Sequence, residues 1–390
     1  TIEKLLEHYD ELSDHIKVET KDPDLYPKFT SQYTDQTVAA NSVIVVCGDK
    51  SKVVSNSDMW ETSTNYQTYQ TQTTGFDGEG QITSAITYVT SENNPKVYWV
   101  TGHGEASESD LSTNFSDAIN KNNVEISDLA LMTDDIPEDA EELVIMSPTT
   151  DFSEDEANKV ITYLENGGKL LMFTSYTGTD MPNLDSILEN YGVKRSSGIV
   201  VETDSQHYYP QMPYYLLPNI QSDDITTEVK SNYILMPVAQ AIQKLDSYRD
   251  TITIKSLLTT TEDAYIENDP ENSTWSKSAD SETGAFDLGV SITETVDDKE
   301  TQIIYFSSAS MLSSQIDQAI SGANSKLAAT ALTSMCDVEQ TVVIPSKSTS
   351  YTNLVFTQGA VNTWSIITIA GIPLVLVVIG VMIWMKRRKQ

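Results

Sequence analysis

The chain has 390 residues, of which 39% are hydrophobic. It is therefore long enough for two domains and an anchor, and its apolar content rules out a chain disordered by composition. Against 57 Asp and Glu stand 24 Lys and Arg, a formal charge of −33, and four of the basic residues fall in the last five positions. So acidic a surface repels nucleic acid and anionic headgroups, which excludes a DNA or RNA binder.

Ile2, Leu5, Leu6, Tyr9 and Leu12 recur at helical spacing, predicting an amphipathic helix over 2–14. Ile16 to Glu19 alternates like a short strand, and Asp22-Pro23-Asp24 reads as a turn. Val43 to Cys47 predicts a strand turning at Gly48-Asp49-Lys50 into Val53-Val54. Residues 60–77, rich in Thr, Gln and Tyr, read as a long loop or irregular hairpin, and Ile82 to Val89 as a helix. Cys47 and Cys336 show no CxxC or metal-type spacing and are expected to be buried as small apolar residues.

From Pro95 the pattern becomes strand–helix units, which predict a parallel, doubly wound α/β sheet. Val97 to Val100 is a strand, followed by a helix over 108–121 with Leu111, Phe115, Ala118 and Ile119 inward. Leu129 to Met132 and Leu143 to Met146 are further strands. Ser153 with Glu156 three residues on forms a capping box for a helix that stops at Gly167-Gly168. Lys169 to Thr174 is the next strand, and 183–191 a helix stopped by Gly192. Residues 204–300 break the rhythm and read as an insertion. They hold a Tyr/Pro-rich run (HYYPQMPYYLLP, 207–218), either a recognition surface or a packed connection, and a strand over Thr251 to Leu257. Gln302 to Phe306 returns as a strand, residues 323–335 as an Ala-rich helix, and 337–362 as a strand-like stalk.

Trp364 to Met385 carries no charged residue. As a helix it spans about 33 Å, enough for a hydrocarbon core of about 30 Å. Trp364 and Trp384 stand near its ends, where indole favours the membrane interface, and Lys386, Arg387, Arg388 and Lys389 follow at once. The positive-inside rule puts that basic tail in the cytoplasm and the body of the chain outside. Residue 1 is Thr, and no signal-like apolar run precedes the first helix, so an export signal or transmembrane helix upstream is expected.

The most distinctive candidate site is Thr101-Gly102-His103-Gly104-Glu105, between a predicted strand and a helix. In doubly wound sheets ligands bind beyond the carboxyl ends of strands, and two glycines let a ligand approach the backbone. Gly102, His103, Gly104 and Glu105 are thus candidate ligand contacts, or alternatively a tight turn in which His103 hydrogen-bonds the loop. A surface hydrolase would pair Ser147 with His103 and use Glu105 or Asp151 as the orienting group. No G-x-S-x-G elbow surrounds Ser147, however, and Pro148 lacks the N–H an oxyanion hole needs. No HExxH or EF-hand spacing appears, and Asp134-Asp135 and Glu138-Asp139 read as solvated faces.

In order along the chain, LLEHYDELSDHIKVETKDPD, ITSAITYVTSENNPKVYWVTGHGE, SPTTDFSEDEANKVITYLENGGKLL and the anchor with its RRK tail resemble the GldG-like family. These are the gliding-motility-associated auxiliary proteins of ABC transporters. The resemblance implies a partial thioredoxin-like α/β module over 1–92, then a doubly wound domain like class I glutamine amidotransferases and flavodoxins over 93–340, with an insertion at 204–300. A stalk over 341–362, a transmembrane helix over 363–385 and a cytoplasmic tail over 386–390 follow. It also implies ABC permease and ATPase subunits as partners, the lipid bilayer as surroundings, no cofactor and no catalysis. Two departures stand out: no CxxC pair in the first module, and Ser307-Ser308-Ala309-Ser310 where the family pattern has a Gly-Asp-Ser-like turn. A stand-alone surface module for ligands or carbohydrates is the alternative reading, and a serine hydrolase using Ser147 and His103 a third.

Overall fold

The structure, a computed structural model, describes residues 2–23, 25–26, 28–34, 37–65, 70–91, 94–271, 274–336, 344, 347–348 and 356–388. It divides into two compact units. The first comprises Thr1–Val97, Ser116–Ser127 and Cys336–Thr352, the second Tyr98–Phe115, Asp128–Met335 and Asn353–Gln390.

In the first unit, α1 (Ile2–Leu12) lays Ile2, Leu5, Leu6 and Tyr9 on a small core of Val54, Met59, Ile82 and Ala85, as its spacing predicts. β1 (Val43–Cys47) and β2 (Lys50–Val54) form the expected hairpin, with Gly48 at φ 59° in its turn. Cys47, expected inside, is exposed, because it pairs with Lys50 at the turn end of a two-stranded ribbon. The Thr- and Gln-rich stretch resolves into a second antiparallel hairpin, β3 (Trp60–Asn65) with β4 (Gln70–Phe76), to which Lys347–Ser348 adds a short strand. The helix expected from Ile82 begins earlier, as α2 (Gly78–Thr90). The strand expected at Ile16–Glu19 does not form. Among the described residues it has no partner strand, and Val18 is exposed.

The second unit is organised by one large sheet. The elements in chain order run β5 (Lys96–Thr101), α3 (Thr113–Lys121), β6 (Glu125–Ala130), β7 (Glu142–Met146), α4 (Glu154–Glu165), β8 (Lys169–Phe173), α5 (Pro182–Asn190) and β9 (Val193–Val201), with Ser116–Lys121 of α3 and the first residues of β5 and β6 counted in the first unit. Short strands β10 (Tyr208–Tyr209), β11 (Met212–Leu216), β12 (Asn219–Ile220) and β13 (Met236–Pro237) follow. β14 (Gln240–Lys244), β15 (Ile252–Thr259), β16 (Tyr265–Glu267), β17 (Asp287–Val296), β18 (Lys299–Phe306), α6 (Ser314–Ala319) and α7 (Ala323–Met335) complete it. The strand order is β16-β9-β14-β17-β18-β8-β7-β5-β6, with β15 also beside β17 and β12 beside β15.

The sheet is mixed rather than parallel throughout. β8 runs parallel to β7 and β18, and all four side chains Leu143 to Met146 of β7 are fully buried, as a strand covered on both faces demands. β17 pairs antiparallel with β18 and with β15, and β9 antiparallel with β14 and β16. Of residues 204–300, β12 and β14 to β17 are therefore strands of the sheet, while β10, β11 and β13 leave it as a separate three-stranded sheet. Ile242, Ile252, Val290 and Ile292 join Leu143, Leu170, Ile303 and Tyr305 in one continuous core. The β17–β18 hairpin turns on Asp297 and Asp298 at φ 50° and 62°, the left-handed pair that a two-residue type I′ turn requires. The helix expected over 108–121 is a single 3-10 turn, Glu108–Asp110, followed by α3.

α4 shows how local sequence sets an element's limits. Its capping box forms as expected, with Ser153 Oγ accepting from Glu156 N while the Glu156 carboxylate accepts from Ser153 N. At the other end Gly168 N donates to Tyr163 O and Gly167 N to Leu164 O, a Schellman closure with Gly167 at φ 89°. A Cβ on Gly168 would lie 2.3 Å from the Tyr163 ring, whose hydroxyl accepts from Lys169 N at the start of β8. Gly168→Ala should therefore destabilise the fold by about 1–3 kcal/mol through overpacking. A lowered thermal midpoint of the detergent-solubilised chain is the expected result.

Candidate functional site

The loop after β5 meets the loop after β7. Ala106 N donates to Met146 O, and His103 O accepts from both Thr149 N and Thr150 N. Gly102 and Gly104 adopt φ 123° and 77°, conformations that favour glycine, and both lie at the surface. His103 between them turns inward and is 5% exposed. Its ring packs on Phe152 with centroids 4.4 Å apart. Nδ1 faces Glu105 Oε1 at 3.4 Å and Nε2 faces Glu156 Oε2 at 3.3 Å, ion-pair rather than hydrogen-bond distances.

Both acids are anchored independently of the ring. Glu105 Oε2 accepts from the His103 backbone N–H at 2.7 Å, and Glu156 Oε2 accepts from Ser153 N and Oγ at 2.8 and 2.6 Å. Burial pushes the Glu156 carboxyl up, but the Ser153 hydroxyl and N–H, with His103, outweigh it and hold the group below its ordinary value. The capping box of α4 and the turn after β5 are thus one polar cluster inside the protein.

The other sequence candidates lie nearby but serve different partners. Ser147 sits at φ 54°, and its hydroxyl donates to Ser175 Oγ at 2.8 Å, while both His103 ring nitrogens face carboxylates. Asp151 caps α5, its oxygens accepting from Leu184 N at 2.9 Å and Asn183 N at 3.2 Å. A serine–histidine–acid relay is not assembled by these residues. Ser307 and Ser308, at the end of β18, are buried and donate to Leu288 O and Pro237 O. Among the described residues no group of three or more His, Cys, Asp or Glu is placed to hold a metal ion.

Two buried carboxylates carried no sequence signal. Asp317, in α6, is fully buried and accepts from Ser112 Oγ, Asn114 Nδ2, Ser325 N and Ser325 Oγ at 2.7–2.9 Å. Glu202 accepts from Thr203 N, Asp204 N, Thr261 N and Thr261 Oγ1. Both are satisfied by hydroxyls and amides alone, so their donors, scattered in sequence, give no charge pattern to read.

The C-terminal helix runs from Gln358 to Arg388, 31 residues, and none of its apolar window is buried. Ile367–Gly371 winds as a π segment just ahead of Pro373, whose missing N–H and ring disfavour a regular turn there. Trp364 and Trp384 are exposed, and Arg388 lies 5.2 Å from the Trp384 ring. Lys386 and Arg387 share the last turn, and Lys389 falls outside the described residues. Of the expected stalk, Gln358 to Asn362 are already helix, while most of 341–355 is likewise outside the described residues.

Such a chain is an α/β protein that carries, among its described residues, one helix long and apolar enough to cross a membrane. It belongs to the family described as an ABC-type uncharacterized transport system, ABC_transp_aux, whose model matches residues 94–334. That family is one of auxiliary components of ABC transport, consistent with the GldG-like resemblance. Among solved structures, the mmIFT52 N-terminal domain is similar over 62% of this chain and 96% of its own, at 15% identity and a TM-score of 0.45. A ThuA-like protein from Parabacteroides merdae matches over 68% of this chain and 99% of its own, at 12% identity and a TM-score of 0.34. The exo-beta-1,4-mannosidase Op5Man5 from Opitutaceae bacterium strain TAV5 matches over 68% of this chain and 38% of its own, at 10% identity and a TM-score of 0.32. No curated protein matches the chain.

Removing the ring should expose what the cluster contributes. His103→Ala leaves two buried carboxylates without the group between them and should cost about 3–5 kcal/mol, read as a lowered thermal midpoint. Acid should act on the same cluster through Glu156. Its folded-state value is depressed, so its contribution is complete above the ordinary value of 4.5 and is lost as pH falls through the depressed one. Melting curves below pH 4.5 should show the native chain losing stability more steeply than Glu156→Gln; parallel loss in both would contradict this.

Proposed function

We propose that the chain is a non-catalytic, membrane-anchored accessory subunit that works beside an ABC permease and its ATPase. The observation that carries this reading is the family match over 94–334, which runs through the large sheet to α7 in a chain that also holds the Gln358–Arg388 helix. The bulk of the chain lies outside the cytoplasm in this reading, because Lys386 to Lys389 follow the apolar segment directly. Its acidic body suits that side, away from anionic inner-leaflet lipid.

Absence of catalysis is supported by where the candidate groups are engaged. The His103 ring is enclosed by Glu105, Glu156 and Phe152, and the Ser147 hydroxyl is turned to Ser175. Any ligand meeting the turn after β5 would touch the exposed backbone of Gly102 and Gly104 rather than the His103 or Glu105 side chains. In this reading the first unit is a thioredoxin-like module and the second an amidotransferase-like sheet, with Ser147-Pro148 following β7 instead of a cysteine elbow.

A mild-detergent pull-down of the full-length chain from its native membrane tests the assignment. Recovery of a permease and an ABC ATPase in comparable amounts is the expected result. Recovery of the chain alone, under conditions that keep other transporters intact, would overturn it and favour a stand-alone surface module.

A further inference from the structure

The root of the long helix is clamped within the second unit by residues 205–211, which lead into the Tyr/Pro-rich segment. Gly359 N donates to Ser205 O at 2.6 Å, Thr357 Oγ1 to Gln206 Oε1 at 3.1 Å, and Gln211 N to Gln358 Oε1 at 2.8 Å. Thr357 is 4% exposed although it caps the helix. A Cβ on Gly359 would overlap the Gln206 amide, so the helix approaches as closely as glycine allows. No free linker separates the helix from the β10–β11 hairpin.

That hairpin has an unusual surface for this protein. Ser205 to Ser222 contains no Asp, Glu, Lys or Arg, in a chain of net charge −33. Its tip, Tyr209-Pro210-Gln211-Met212, presents Met212 at 38% exposure with Tyr208 and Tyr209 half-buried behind it. Just beyond, Tyr214 packs against Trp275 with ring centroids 4.4 Å apart. Apolar bodies with polar tips are what the membrane interface favours.

Position along the helix says what this surface meets. Gln358, which the tip holds, precedes Trp364 by six residues, or about 9 Å of helix. Trp364 opens the apolar segment, and the headgroup layer outside the hydrocarbon is about 5–8 Å deep on each face. The tip is thereby held at the outer edge of the headgroup layer, and an uncharged aromatic surface there avoids the repulsion that the rest of the acidic body would meet.

We propose that the β10–β11 hairpin, through Tyr209 to Met212, is an interfacial foot that rests this unit on the outer headgroup layer beside its own anchor. This rests on the reading of Gln358–Arg388 as membrane-spanning, and the test separates the two. The full-length chain, carrying Cys47→Ser, is reconstituted in phosphatidylcholine nanodiscs and labelled with the fluorophore NBD at Met212→Cys, Asp298→Cys or Val378→Cys. Nitroxide is placed on either the lipid headgroup or the acyl chain. Headgroup nitroxide should reduce emission from position 212 and leave position 298, in the β17–β18 turn, unchanged; acyl nitroxide should quench position 378. If 378 is quenched and 212 behaves like 298, the foot is wrong and the anchor stands. If 378 is not quenched either, the spanning helix fails and the foot with it.

Discussion

An imidazole ring held between two buried carboxylates fixes the end of the sheet where β5 and β7 deliver their loops. His103 does not sit there by its own preference. It is turned inward because its neighbours take φ 123° and 77°, and because Phe152 offers a ring face to pack on. Each carboxylate is expensive to bury alone, and each is offset by donors of its own: a backbone N–H for Glu105, the Ser153 amide and hydroxyl for Glu156. The helix cap and the turn are therefore each held by donors of their own, and the ring packs between them. α4 starts where it does because Glu156 is held in place, and the turn after β5 closes because His103 O accepts from the loop that leads to α4. The residues most suggestive of chemistry are thereby also the ones that hold this end of the sheet together.

The same logic explains why the sheet is not the all-parallel one that its alternating pattern suggests. A parallel sheet needs helices over both faces, and residues 204–300 supply few described helical residues. They supply strands instead. β17 alternates buried Leu288, Val290 and Ile292 with less apolar positions, and its tight turn at Asp297-Asp298 returns the chain along β18, which then pairs parallel with β8. One strand is thus shared by the antiparallel and parallel halves, and Ile303 and Tyr305 belong to a core that both complete.

What the sequence disclosed and what it concealed follow from the range of each signal. The capping box at Ser153, the Gly167-Gly168 stop, the Gly48 turn and the apolar helix beginning near Trp364 are encoded within a few residues, and each stands where its pattern places it. Pairing of distant segments is not encoded locally. The contact between His103 and Glu156 joins the turn after β5 to the cap of α4, and Asp317 takes its donors from Ser112 and Asn114, some 200 positions away. Residues 16–19 show the converse error, since alternation predicts a strand only where another strand lies alongside. Asp297-Asp298 was readable in principle as a hairpin turn, but two acids in left-handed conformation are a weaker cue than Asn-Gly or Asp-Gly.

Whether a long terminal helix moves with the body of its chain depends on whether it is tethered or fused to it. Here the helix begins within the protein: Thr357 is buried, Gly359 lies against Gln206, and the first turn exchanges hydrogen bonds with the β10–β11 hairpin. Among the described residues the helix is therefore joined to the body at this point by direct hydrogen bonds. Eight positions beyond Gly359, the helix loosens into the π segment at Ile367–Gly371, where Pro373 has removed one hydrogen-bond donor. The departure from a regular α-helix thus lies within the apolar stretch rather than at its root, where the hydrogen bonds to the body are made.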